Sequence, residues 1–192
     1  VNVQDNSVLT ITLSSPLSDR TSANPLDNFD FLSLNPQERL GLNQILESIE
    51  YAAYDPKIRG IYLNLTDIQG NFGGLASTEE LRQALLQFKE SGKFIYSYSN
   101  LGYSQKAYYL ATVADSIFVN PETPLLLTGM SSNVTFYKEA LGKLGIRPEI
   151  VKVGKFKSAV EPFIATEMSD ANREQVQKYL GTSWNHVVQG IA

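Results

Sequence analysis

The chain contains no cysteine and a single histidine, His186. Without cysteine there is no disulfide, thiolate nucleophile, iron–sulfur cluster or Cys-based zinc site. Zero cysteine fits a reducing compartment or an exported bacterial protein, so it does not fix location. With one histidine, two-His metal motifs are excluded, and a Ser-His-Asp mechanism would depend wholly on His186. A hydrolase built on this chain needs another base, and lysine is the usual substitute. A basic excess is also missing: sixteen Lys+Arg against twenty Asp+Glu give a net charge of -4. Binding nucleic acid rests on neutralising phosphates, so no nucleic-acid partner is expected. No run approaches the roughly 18 apolar residues of a membrane-spanning helix. Val1-Asn2-Val3-Gln4-Asp5 has neither an initiator Met nor an apolar leader core, and a helical pattern is still running at Ala192. The chain is therefore expected to be a piece of a longer protein.

What is present is a globular balance, with 43% hydrophobic and 19% charged residues over 192 positions. Val8 to Leu13 alternates apolar residues with threonines and reads as a strand. Ser14 to Leu34 reads as a long polar loop. Asn35-Pro36 predicts a helix start, with Leu42, Ile45, Leu46 and Ile49 as its buried stripe and Asp55-Pro56 as its stop. Gly60 to Leu65 reads as an apolar strand of a doubly covered parallel sheet. Ser77-Thr78-Glu79-Glu80 predicts a capping box ahead of Leu81, Leu85, Leu86 and Phe88, with Gly92 as terminator. Phe94 to Tyr98 is the next strand, Gln105 to Ala114 a short helix, and Ser116 to Val119 another strand. Thr135 to Leu144 reads as a helix and Pro148 to Val153 as the last strand. Ser169 opens a final helix carrying Val176, Tyr179, Leu180, Trp184, Val187, Val188 and Ile191. This alternation predicts one α/β domain over 1–192 with mainly parallel strands.

The candidate chemistry centres on Val151-Lys152-Val153-Gly154-Lys155-Phe156-Lys157-Ser158-Ala159-Val160-Glu161-Pro162-Phe163. Lys157 sits among Phe156, Ala159, Val160 and Phe163, a setting that disfavours an ammonium and would suit a general base. Equally open at this point is that Lys152, Lys155 and Lys157 are ordinary solvated lysines. Gly73-Gly74 offers either backbone N–H groups to an oxyanion or a turn between strand and helix. His186 lies beside the apolar stripe of the last helix and reads as a surface or interface residue. Asp19, Asp27 and Asp30 lack the spacing of a calcium loop. No metal or cofactor is expected.

The lysine block Val153 to Phe163 resembles that of the signal peptide peptidase A (protease IV) family. So do Gly60 to Leu65, Asn71-Phe72-Gly73-Gly74, Tyr108-Tyr109-Leu110-Ala111 with Ala114-Asp115, and Phe136-Tyr137-Lys138. The likeness is to the amino-terminal half of the long, tandem-domain bacterial form. It implies a Clp protease/crotonase-like spiral of strand–strand–helix units and a membrane-anchored Ser-Lys peptidase that degrades cleaved signal peptides. Lys157 then matches the general base. Where the family places Ser-Gly-Gly-Tyr this chain has Gln105-Lys106-Ala107-Tyr108, so Gln105 stands at the serine position and Ser104 falls one place early. The resemblance accordingly implies that the serine, and a working oxyanion hole, belong to a second domain, that Gly73-Gly74 is mainly structural, and that this fragment alone is inactive. It further implies hydrophobic signal-peptide substrates, homo-oligomeric assembly, and an anchor before Val1 holding the catalytic part outside the bacterial inner membrane. Three readings compete: a non-catalytic assembly or substrate-guiding domain, a crotonase-like acyl-CoA enzyme using a carboxylate, and a self-sufficient single-domain peptidase using Ser104.

Overall fold

The computed structural model describes residues 3–13, 17, 29–30, 35–36, 41–66, 73–150 and 157–192. Its contacts gather into two compact units, 1–128 and 129–192. The first is an α/β unit. Strands β1 (Ser7–Thr12), β4 (Ile58–Asn64), β5 (Phe94–Ser99) and β6 (Ser116–Val119) form one sheet in that order, all parallel. A separate antiparallel pair, β2 (Phe29–Asp30) and β3 (Asn35–Pro36), lies between β1 and helix α1 in the sequence. Helices α1 (Leu42–Tyr54), α2 (Leu75–Lys89) and α3 (Gln105–Ala111) supply the crossovers that parallel pairing requires.

Period-two alternation divides the sheet. One face presents Ile11, Ile61, Leu63 and Ile95, which pack into a common core with Leu42, Ile45, Ile49 and Ala52 of α1, Leu81, Leu85 and Phe88 of α2, and Ala107, Leu110 and Ala111 of α3. Burying a side chain of this size is worth about 1.5–3 kcal/mol. The other face carries two rows in register, Thr10–Tyr62–Tyr96–Ser116 and Thr12–Asn64–Tyr98–Phe118. Here Phe94 stacks on Tyr96 at 4.7 Å, and Tyr96 meets Phe118 edge-on at 6.3 Å. This face is wet: Tyr96 is 43% exposed and Phe118 54%.

Several element ends differ from the sequence reading. Asn35-Pro36 pairs with Phe29–Asp30 instead of starting a helix, and α1 begins at Leu42, where its buried stripe begins. The expected capping box lies inside α2. Gly74 is the N-cap, Thr78 Oγ1 donates back to the Gly74 carbonyl at 2.8 Å, and Glu79 is engaged with Gln83 and Tyr109. α3 stops at Ala111, short of Ala114.

In the second unit the described regular elements are all helices. α4 (Lys138–Lys143) is shorter than the expected Thr135 to Leu144, and the N–H of its N-cap Tyr137 donates to the Pro162 carbonyl at 2.6 Å. Pro148 to Ile150 is not a strand, and no described strand of this unit stands beside it to accept its hydrogen bonds; Val151 to Val153 lie outside the described residues. A 3-10 turn (Ser158–Val160) runs into α5 (Glu161–Ile164). The final helix, α6 (Asp170–Ile191), starts as expected, with Ser169 Oγ accepting from the Asn172 N–H.

Gly60 marks the tightest point of the sheet. A Cβ there would sit 2.5 Å from the Phe94 ring and 2.6 Å from the Phe94 carbonyl oxygen, which is backbone and cannot swing away. Gly60→Ala is expected to lower stability by about 1–3 kcal/mol. Chemical denaturation of the two proteins checks this, and equal midpoints would show that β4 and β5 can separate without cost.

Candidate active site

In the 1–128 unit, α2 follows β4 and α3 follows β5, so both helix N-termini lie at the C-terminal ends of adjacent strands. In open α/β sheets this is where ligands bind. Gly73 has φ +102°, a conformation that disfavours any side chain, and Gly74 caps α2. The Gly73 carbonyl accepts from Lys106 Nζ at 2.7 Å, joining the first turn of α3 to the entry of α2. Gly74 accepts from both Thr78 N–H and Thr78 Oγ1. The Gly73 carbonyl therefore ties α3 to the entry of α2, while the Gly74 carbonyl closes the first turn of α2, as structural glycines would.

Ser104 is the N-cap of α3, its Oγ accepting from the Ala107 N–H at 3.3 Å. The residues before it are held firmly. Tyr103 is buried, its hydroxyl between Ser97 Oγ at 3.0 Å and the Phe118 carbonyl at 2.9 Å, and Gly102 has φ +89° against the Pro124 carbonyl. Lys106, two residues on, uses its ammonium as a donor to Gly73, which is the work of a strut and not of a base. Ser104 and Lys106 thus have local structural tasks.

Beneath these termini α2 and α3 are locked by buried polar groups. Arg82, 8% exposed, donates to the Tyr109 carbonyl and to Thr112 Oγ1 at 2.8 Å, with its guanidinium 4.4 Å from the Tyr109 ring centre. The Tyr109 hydroxyl donates to Glu79. Burial first, and then the Glu79 carboxylate, push the Tyr109 phenol up to about 12, while Arg82 opposes the shift.

Lys157 belongs to the 129–192 unit, where it is the N-cap of the turn Ser158–Val160. Its side chain is exposed, as is Ala159, and Phe163 is 44% exposed. The apolar surroundings expected for it are absent among its described neighbours; Phe156 lies outside the described residues. Buried nearby instead is Glu161, 4% exposed, which accepts from Ser169 Oγ at 2.6 Å and Asn172 Nδ2 at 2.9 Å. Sequence reasoning passed over Glu161, whose only hint was a lone acid in an apolar run. His186 is exposed on α6. Asp19 and Asp27 fall outside the described residues.

A profile of peptidase family S49 matches residues 87–192, more than half of the chain and including both Ser104 and Lys157. The chain belongs to peptidase family S49. Protease 4 of Haemophilus influenzae is 36% identical over 148 residues, 77% of this chain and 24% of that protein. A chloroplastic serine protease SPPA of Arabidopsis thaliana is 31% identical over 190 residues, 99% of this chain and 26% of that protein. The S49 chain thus spans about a quarter of the length of these relatives, and the resemblance to protease IV holds. A solved structure of a candidate enoyl-CoA hydratase from Mycobacterium avium paratuberculosis aligns over 94% of this chain and 74% of that one. Its identity is 14% and its TM-score 0.32. What this S49 chain shows by itself is an α/β unit with a parallel sheet.

The Tyr109 phenol, raised from an ordinary value near 10 to about 12, favours the neutral form in the fold. Its contribution is fully present below pH 10 and is lost as pH rises through 12. Between those limits the stability of the native chain is expected to fall more steeply than that of Tyr109→Phe. Denaturant midpoints at stepped pH test this, and parallel curves would contradict it.

Proposed function

We propose that this chain supplies the general base, Lys157, of a Ser-Lys peptidase whose nucleophilic serine lies in another part of the full-length protein. The carrying observation is that Lys157 stands exposed at the head of a turn anchored to α6, inside the S49-matching region, whereas Ser104 is occupied as a helix cap. In the reaction the neutral Nζ takes the proton of the serine hydroxyl as its oxygen attacks the peptide carbonyl. The ammonium so formed gives that proton to the leaving amine when the tetrahedral intermediate collapses. Water then hydrolyses the acyl-enzyme, with Nζ again removing a proton and returning it to the serine. Since Lys157 is exposed in its own unit, the exclusion of water that favours a neutral amine must come from the serine-bearing part and the bound substrate.

Hydrophobic signal-peptide segments, docked in extended form, are the proposed substrates, and the full-length protein is proposed to assemble with copies of itself. Among the described residues no helix is long and apolar enough to cross a membrane. We propose that attachment to the bacterial inner membrane, with the catalytic part on its outer side, comes from a segment before Val1. The exposure of Lys157 also favours a second reading, a non-catalytic domain for assembly or substrate guidance.

The test uses the longest native chain, without its membrane segment, and a hydrophobic peptide ester. Lys157→Ala is expected to lower kcat by roughly 10²–10⁴-fold, the usual contribution of a positioned proton carrier. Ser104→Ala is expected to leave kcat unchanged while costing about 1 kcal/mol of stability through the lost cap. Full activity of Lys157→Ala would establish the second reading, and an inactive Ser104→Ala would return the nucleophile to this chain.

A further inference from the structure

We infer that Glu161 is the positioning residue for Lys157, fixing its turn against the N-terminus of α6. The inference rests on the reading of Lys157 as the base. Glu161 is 4% exposed, yet its two carboxylate oxygens meet donors from α6: Oε1 accepts from Ser169 Oγ at 2.6 Å, and Oε2 from Asn172 Nδ2 at 2.9 Å and Ser169 N–H at 3.3 Å. Ser169 Oγ in turn caps the helix by accepting from Asn172 N–H at 3.2 Å. A carboxylate accepts at both oxygens, so it matches the three donors with no hydroxyl or amide having to turn. The positive end of a long helix adds to the match.

Three residues, Ser158–Val160, lie between Lys157 and Glu161, and the turn they form runs directly into α5. A rotation at Glu161 is therefore passed to Lys157 without a flexible link between. On its other side the same segment is held by the Pro162 carbonyl accepting from Tyr137 N–H at 2.6 Å and by the Tyr137 and Phe163 rings, 6.1 Å apart. An apolar residue could join the two elements without the cost of desolvating a carboxylate. What the carboxylate adds is direction, because its donors fix both the distance and the rotation of the turn.

In the longest native chain, Glu161→Gln removes the charge and one acceptor, so the amide fits only if the Ser169 hydroxyl turns its proton away. It is expected to lower kcat roughly ten- to a hundredfold, as a misplaced base does, with KM changed by less than about twofold. Added to Lys157→Ala it is expected to cause no further loss, because the group it positions is gone. Asn172→Ala removes one donor and is expected to give a smaller fall in kcat, and it carries the test if Glu161→Gln does not fold. An unchanged kcat in the folded variant, or a loss that multiplies with that of Lys157→Ala, overturns the positioning role while leaving Lys157 as base. Full activity of Lys157→Ala itself overturns both.

Discussion

The parallel pairing of β4 with β1 on one side and β5 on the other is the constraint on which the 1–128 unit depends. Parallel strands cannot be joined by a tight turn, so each pairing brings a crossover helix with it. Those helices have one apolar stripe apiece, and all of them find the same face of the sheet. The Ile61 and Leu63 side chains, at most 1% exposed, sit where the stripes converge. The N-termini of α2 and α3 then fall side by side at the ends of β4 and β5, and the Lys106–Gly73 hydrogen bond and the Arg82–Tyr109–Glu79 network hold them there. Architecture of this kind places polar groups at a sheet edge whether or not they react.

Much of this was legible in the residues. The stripe Leu42, Ile45 and Ile49 sits at helical spacing and is buried, and β1, β4, β5 and β6 lie within a few residues of their expected limits, because hydrophobic periodicity reports burial directly. Helix ends were less legible. Capping chemistry is local, and Asn35-Pro36 was claimed by a strand pair, while Thr78 bonds back to the Gly74 carbonyl inside α2 and Glu79 meets Tyr109, a partner that only tertiary packing supplies. The α/β class followed from the alternation of elements, and family membership from the lysine block and the motifs around it.

The site was legible only in part. Lys157 was singled out by the residues around it, yet the apolar cover imagined for it is not provided by its described neighbours. Adjacent apolar letters need not fold over one another. Glu161 was invisible for the converse reason: its partners Ser169 and Asn172 stand eight and eleven residues away, and only the turn into α6 makes them neighbours. An acid in an apolar run carries no mark of the donors that will surround it.

The uncovered face of the parallel sheet has a thermal consequence. Sheets of this type are ordinarily sheathed on both sides, but here Val8, Tyr96 and Phe118 meet water while the unit is folded. The heat capacity gained on unfolding comes from apolar surface newly hydrated, averaging about 12–15 cal/mol/K per residue in globular proteins. Surface already wet contributes nothing to that change. The 1–128 unit should therefore fall below the average, with a broader and flatter dependence of stability on temperature than its size suggests. Any surface that came to lie on the aromatic rows would steepen that dependence.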